Sequence, residues 1–109
     1  MKKVRIILSS EAEVAYAQLV ESAKSSKVSQ TILRSIENKF ELIKLNSHYG
    51  EPISHQKIPF AWKEKYGVRN LFWVQLADHW RMLYYLTHNE QQIEVIAFVL
   101  DILSHSDYD

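Results

Sequence analysis

The sequence predicts a small α+β fold in which a helix pair packs on one face of a twisted sheet and leaves the other face partly open. Two observations predict it. Apolar residues recur with helical spacing over residues 12–45, and runs of β-branched and aromatic residues stand before and after that region. We therefore expect an N-terminal strand, an antiparallel helix pair and a three-stranded antiparallel meander, in one domain spanning residues 1–109.

The N-terminal half supplies the first strand and both helices. The run KVRIIL alternates as a strand does. Ser10 and Glu13 have the spacing of a capping box, so we expect Ser10 to cap a first helix with apolar residues as far as Ala23. Ser26 is the expected cap of a second helix that ends near Leu45. The short connection and matching apolar stripes favour an antiparallel pair.

The C-terminal half predicts a loop followed by three strands. Residues 46–70 contain both prolines and both glycines, which predicts a long loop. Such a loop in a small domain is often functional, and the alternative is a lid packed by Ile58, Phe60 and Trp62. The runs NLFWVQL, HWRMLYYLT and IEVIAFVLDIL then predict strands joined by the short connections ADH and HNEQQ.

Composition excludes several classes of protein. The chain has no cysteine, so it has neither a disulfide framework nor a thiolate metal site. Its five histidines lack metal-ligand spacing, and no Gly-rich phosphate loop is present, so we expect no metal and no cofactor. No apolar run approaches the ~20 residues of a membrane helix. We expect a cytoplasmic protein with no membrane partner.

Charge is balanced overall but unevenly distributed. The net charge is zero. The stretch from Lys57 to Arg81 carries five basic and two acidic residues, whereas the chain after Arg81 carries five acidic residues and neither Lys nor Arg. A global basic footprint for nucleic acid is therefore absent, while a local basic segment is compatible with the sequence. The alternative is a solvated surface of mixed charge.

Arg81 stands out because it lies inside an apolar, aromatic strand. Alternation places it on one face with Leu83 and Tyr85, roughly opposite Val99 of the next strand. Arginine is seldom buried unless it is paired. From spacing alone, an ion pair with Asp101, diagonal on the same face, or with the nearby Asp78 is the better-supported reading. The functional alternative is a guanidinium that faces a phosphate.

Two more polar residues follow the strand that pairs with that of Arg81. His105 and Tyr108 leave its C-terminal end and are expected near the same face. An arginine provides a cationic fork for phosphate, and a histidine moves protons near neutral pH. A tyrosine can stack on a base. Arg, His and Tyr on one surface therefore suit phosphate chemistry.

These features together resemble the RelE/ParE toxin superfamily. The resemblance lies in the order of elements, the WRMLYYL strand, the NL before it and the terminal H-x-x-Y. The segment KIPFAWKEKYGVRNL resembles an insertion of a RelE-like cytotoxin branch. The resemblance implies the toxin of a type II toxin–antitoxin system, a metal-independent endoribonuclease that cuts mRNA on the ribosome. Its implied partners are a cognate antitoxin, on a separate chain, and ribosome-bound mRNA.

The resemblance also implies roles for individual residues. Arg81 would stabilise the phosphate, His105 would act as acid or base, and Tyr108 would stack on or orient the substrate. Glu64 is an alternative base. The implied RNA contacts are Arg69, Lys63, Lys65 and Tyr85.

Two other functions stay open. One is a ParE-like toxin that binds and poisons a target such as gyrase without cutting RNA. The other is a degenerate, non-toxic protein that only binds a partner, which the neutral charge favours. Apolar residues also stand on the first meander strand, Phe72, Trp73 and Val74, where some ribonucleases of the superfamily carry lysines.

Overall fold

Three α-helices and a five-stranded mixed sheet make up the computed structural model, which describes residues 3–89, 91, 94–104 and 106. The strands are β1 (Lys3–Leu8), β2 (Glu51–Pro52), β3 (Phe72–Gln75), β4 (Arg81–His88) and β5 (Glu94–Leu103). The helices are α1 (Ser10–Ser22), α2 (Lys27–Leu45) and α3 (Phe60–Tyr66). The strand order is β1-β5-β4-β3-β2, with β1 parallel to β5 and the other pairs antiparallel. The predicted α+β class is confirmed, but the sheet topology differs from the prediction.

The difference arises in the region predicted as a loop. Strand β2 adds to β3 at the sheet edge, and a 3₁₀ turn (His55–Lys57) and helix α3 follow it. Pro59 directly precedes α3, and Gly67 ends it with a left-handed φ of 65°. Proline before a helix and glycine after it are typical boundary residues. The residues that predicted a loop therefore delimit a two-turn helix.

Helix α1 is capped by Ser9, and the prediction of Ser10 as cap is wrong. The Ser9 hydroxyl accepts a hydrogen bond from the Ala12 amide at 3.0 Å and donates one to the Leu100 carbonyl at 2.7 Å. The Ser9 amide also donates to the Val99 carbonyl at 2.8 Å. Because these bonds fix Ser9 at the end of β1, the helix begins one residue earlier than the capping-box spacing indicated.

Replacing Ser9 with alanine should therefore be much more harmful than the same change at Ser10. Ser9→Ala removes the cap and leaves buried backbone groups without their partner, which should lower the free energy of unfolding by about 2 kcal/mol. Ser10 is exposed in the first turn, so Ser10→Ala should stay within about 0.5 kcal/mol of the parent. Urea unfolding of both variants tests this. Equal losses would show that Ser9 is not the cap.

Apolar residues form a core on each face of the sheet. On one face, α1 and α2 pack against alternate residues of β3, β4 and β5. On the other face, the segment 53–68 covers part of the sheet. This second cluster is centred on Ile58, Val68, Leu71, Tyr85 and Leu100. Ser26 caps α2, as predicted, by accepting a hydrogen bond from the Ser29 amide at 3.2 Å.

The pairing of β4 with β5 contains a bulge. Tyr84 lies opposite Val99, but Leu83 lies opposite Asp101, so Leu100 is an extra residue on β5. Arg81 lies opposite Leu103, and the predicted register opposite Val99 is wrong. The bulge accounts for one residue of this shift, because a regular ladder from Tyr84 and Val99 would place Ile102 opposite Arg81. Asp101 is nevertheless diagonal to Arg81, as the sequence predicted.

The turn between β4 and β5 is the other cause of the register error. Strand β4 continues to His88, which was predicted as the first residue of the connection, and His88 pairs with Val95. The side chain of Asn89 closes the turn, because its amide nitrogen lies 3.3 Å from the Glu94 carboxylate and its oxygen accepts from the Glu94 amide at 3.4 Å. A turn held by hydrogen bonds from one side chain has no periodic pattern in the sequence, so its position could not be predicted.

Candidate functional site

Arg81 lies against the indole of Trp73 on the neighbouring strand. Its guanidinium carbon is 4.3 Å from the centroid of the Trp73 ring. Arg81 opens β4 opposite Gln75, and Trp73 lies two residues along β3, opposite Leu83. Antiparallel pairing thus places the two side chains diagonally on one face. The stacking is a cation–π contact, and it fixes the plane of the guanidinium.

The stacked pair belongs to a pocket of about 630 Å³. One wall is the face of the sheet, and the other is the segment that carries the 3₁₀ turn and α3. Two cationic residues, Lys57 and Arg81, and two indoles, Trp62 and Trp73, line it. The remaining lining residues are Ile53, Pro59, Leu71, Leu83 and Leu103. This volume lies within the usual range of ligand pockets, ~300–1,000 Å³, and an apolar wall with a few charged groups is typical of them.

Tyr85, a predicted RNA contact, is a core residue on the same face as the pocket. Its ring packs against Phe98 with centroids 5.5 Å apart, and its hydroxyl donates to the Tyr66 carbonyl at 3.4 Å. Burial raises the pKa of the Tyr85 phenol, so the side chain is neutral near neutral pH. The structure therefore places Tyr85 beneath the site and does not bring it into the pocket lining.

Lys65 is held against α1, away from the pocket. Its ammonium lies 3.4 Å from the Glu11 carboxylate, and the Tyr66 hydroxyl donates to the same carboxylate at 3.3 Å. Hydrogen bonding from its own backbone and the charge of Lys65 lower the pKa of the Glu11 carboxyl. Hydrogen bonding with Tyr66 and the charge of Glu11 raise the pKa of Lys65. Since these side chains are exposed, the pair contributes little to stability.

The other predicted site residues that the structure describes do not line the pocket. Lys63 is half-buried in α3, Glu64 is exposed in the same helix, and Arg69 is exposed before β3. His105 and Tyr108 lie outside the described residues, so their roles stay predictions. Among the predicted site residues within the described ranges, Arg81 is therefore the one that lines this pocket.

Sequence reasoning missed three residues that line the pocket. Trp73 shares a face with Arg81, and pairing the two strands in register would have found it. Trp62 was expected only as part of a packed lid. Lys57 carries no signal in the sequence, because its position depends on the 3₁₀ turn that folds it towards the sheet.

A second cavity of about 630 Å³ lies at the other end of β4. His48 and His88 line it together with Ser47, Asn70 and Phe72. The His48 ring meets the Phe72 ring edge-on, with centroids 5.5 Å apart. Within the described ranges, no group of three or more His, Asp or Glu residues is placed to hold a metal ion.

Comparisons with known proteins do not assign the chain to a family. No family model, no curated protein and no solved structure matches it. The pocket around Arg81 must therefore be interpreted from its own chemistry. In the part of the chain that the structure describes, no helix has both the length and the apolar character needed to cross a membrane.

Proposed function

We propose that this chain is a RelE/ParE-type toxin that cleaves mRNA on the ribosome without a metal ion. The observation that carries the proposal is the Arg81 guanidinium, held on the Trp73 indole inside a pocket that also contains Lys57. RNA offers phosphates to cations and unstacked bases to aromatic rings. Helices on one face of the sheet and antiparallel pairing of β3, β4 and β5 are compatible with the RelE/ParE arrangement.

In the proposed reaction, the ribose 2′-oxygen attacks the adjacent phosphorus. The new 2′-O–P bond forms as the P–O5′ bond breaks, giving a 2′,3′-cyclic phosphate and a 5′-hydroxyl. A base accepts the 2′-hydroxyl proton and an acid donates a proton to the leaving oxygen. We assign one of these transfers to His105, as acid or base, and Glu64 is the alternative base. Arg81 would stabilise the charge that develops on the phosphate, and Tyr108 would orient the substrate.

The test uses the purified full chain with ribosomes carrying a defined mRNA. We expect cleavage in the ribosome-bound mRNA, fragments with 5′-hydroxyl ends, and the same rate when the chain has first been treated with EDTA and the EDTA has been removed. Expression of the chain alone should arrest growth. Intact mRNA under these conditions would refute the nuclease assignment.

A target-binding toxin is the second candidate, and the apolar lining of the pocket favours it. Ile53, Leu71, Leu83 and Leu103 line the pocket and suit an apolar side chain of a protein target. Growth arrest without RNA cleavage would support this candidate. Harmless expression without any partner would instead support the non-toxic partner-binding protein.

The antitoxin implied by this proposal would dock at the open edge of β1. The two edge strands differ. Strand β2 has two residues, one of them Pro52, which has no amide proton. Strand β1 has six residues and, among the strands that the structure describes, pairs with β5 only. A groove of about 560 Å³ beside β1 contains the apolar Tyr16 and Phe40 and the basic Arg5 and Lys44. Arg5 lies 3.8 Å from Glu94 and Lys44 lies 3.1 Å from Glu41, and such surface pairs are weak. An extended segment with acidic residues fits this edge, because it would add a strand and its carboxylates could replace these partners.

Reversing one charge in this groove should weaken that complex. With a co-purified antitoxin encoded beside this chain, Lys44→Glu should raise the dissociation constant at least about tenfold, since a charge pair across an interface becomes a repulsion. Lys24→Glu, in the exposed connection after α1, is the matched control and should bind as the parent does. Equal binding by both variants would place the antitoxin elsewhere.

A further inference from the structure

We propose that the 3₁₀ turn and α3 complete a mononucleotide subsite beside Arg81. Trp62 is the platform on which a base stacks, and Lys57 is a second cation for its phosphate. The inference rests on the proposed RNA-cleaving function and names the ligand unit that its pocket takes.

Trp62 is suited to stacking because it is anchored and still accessible. It lies four residues before Tyr66, so both rings are on the side of α3 that faces the sheet. Both pack against the second core cluster, and Trp62 remains half-buried with its ring in the pocket lining. Trp73 already carries the Arg81 guanidinium, so Trp62 offers the second aromatic surface.

Lys57 is held at the rim of the same pocket. It ends the 3₁₀ turn, where its amide donates to the Ser54 carbonyl at 2.9 Å and the next amide, of Ile58, donates to the His55 carbonyl at 3.2 Å. Ile58 is 4% exposed and fastens the turn to the core. Lys57 is exposed and lines the same pocket as Arg81, so its flexible side chain supplies a second cation beside the planar guanidinium of Arg81.

These residues together specify an anionic ligand with an aromatic part. Two cations recognise a phosphate, and an indole recognises a flat ring. A nucleoside monophosphate combines both groups in one molecule, whereas a nucleoside or a sugar phosphate offers only one. Affinity should therefore depend on both halves of the ligand.

The experiment titrates the full chain with adenosine 5′-monophosphate, adenosine or ribose 5-phosphate, followed by calorimetry and tryptophan fluorescence. The monophosphate should bind about tenfold more tightly than either fragment, because stacking and phosphate contacts each add to affinity. Trp62→Ala should reduce binding of the monophosphate to the level of ribose 5-phosphate. Lys57→Gln should reduce it part of the way to the level of adenosine, because Arg81 remains in the pocket, and should weaken the salt dependence.

Controls separate the site from the fold. Lys24→Gln, a lysine remote from the pocket, should bind as the parent does, and Trp62→Phe should retain most of the affinity. Thermal unfolding of each variant identifies any that are misfolded. Equal binding of the monophosphate and adenosine, or unchanged binding by folded Trp62→Ala, would overturn the subsite.

The subsite and the proposed function fail in different ways. If the Lys57→Gln and Trp62→Ala variants cleave ribosome-bound mRNA as fast as the parent does, the proposed function stands and the subsite is refuted. A chain that binds the monophosphate as expected and leaves mRNA intact retains the subsite and refutes the nuclease.

Discussion

Arg81→Ala is expected to abolish growth arrest and to slow cleavage of ribosome-bound mRNA about 10²–10³-fold, as loss of one preorganised charge stabiliser typically does. Arg81 is the cation with a fixed orientation in the pocket, because its guanidinium lies 4.3 Å from the Trp73 ring. Arg81→Lys keeps the charge but loses the planar fork and the stacking geometry. We expect this variant to recover only a small part of the rate.

Stability measurements decide whether the loss is chemical. Arg81 lies at the start of β4, so the Arg81→Ala variant should be folded, and the midpoint of its urea unfolding should be near that of the parent. Trp73→Phe keeps a ring under the guanidinium and should lower the cleavage rate less than Arg81→Ala does. A folded Arg81→Ala chain that arrests growth as the parent does would contradict the assignment of Arg81.

Gly50→Ala is expected to lower the free energy of unfolding by about 3 kcal/mol, from overpacking and a disturbed buried hydrogen bond. A Cβ at Gly50 would lie 3.0 Å from the Trp73 carbonyl oxygen and 3.0 Å from the Tyr84 hydroxyl. Neither can move away easily, because Tyr84 is fully buried and its hydroxyl accepts from the Gly50 amide at 2.9 Å and donates to the Ser47 carbonyl at 2.9 Å.

Gly67→Ala is the matched control, because its cost has a different origin. Gly67 has a φ of 65°, and a Cβ there would meet no atom within 4 Å. Its substitution should cost about 1 kcal/mol, the conformational penalty of a left-handed residue. Urea unfolding of both variants gives the comparison. A smaller loss of unfolding free energy at Gly50 than at Gly67 would show that the backbone around Gly50 adapts to the methyl group.

Elements with a long periodic pattern could be predicted from the sequence. Helix α2 has 19 residues, and its apolar spacing repeats over five turns, so a single irregular residue does not obscure it. Strand β2 has only two residues and exists through its pairing with β3, so it has no local signature. Helix α3 is likewise too short for its spacing to outweigh the flanking proline and glycine.

The residues of the candidate site also differ in whether the sequence could predict them. Arg81 stood out because an arginine within an apolar strand is unusual, but spacing alone favoured an ion pair, and its role at a phosphate was implied by the resemblance. Lys57 and Trp62, which line the same pocket, were not predicted as site residues, because they approach Arg81 across the fold and not along the chain. The alternation that assigned Tyr85 to the same face was correct, but alternation alone does not distinguish a pocket wall from a core beneath it.

The length of β5 beyond the bulge, and not only its composition, is a determinant of the pocket. There Ile102 points to the helices and Leu103 to Arg81. A chain without Leu100 would form a regular ladder with the same later pairs, because Leu83 would still lie opposite Asp101 and Arg81 opposite Leu103. A chain with one residue fewer after the bulge would instead exchange the two sides of the sheet for every residue that follows. Deletions beyond the bulge should therefore be as consequential as substitutions in the pocket itself.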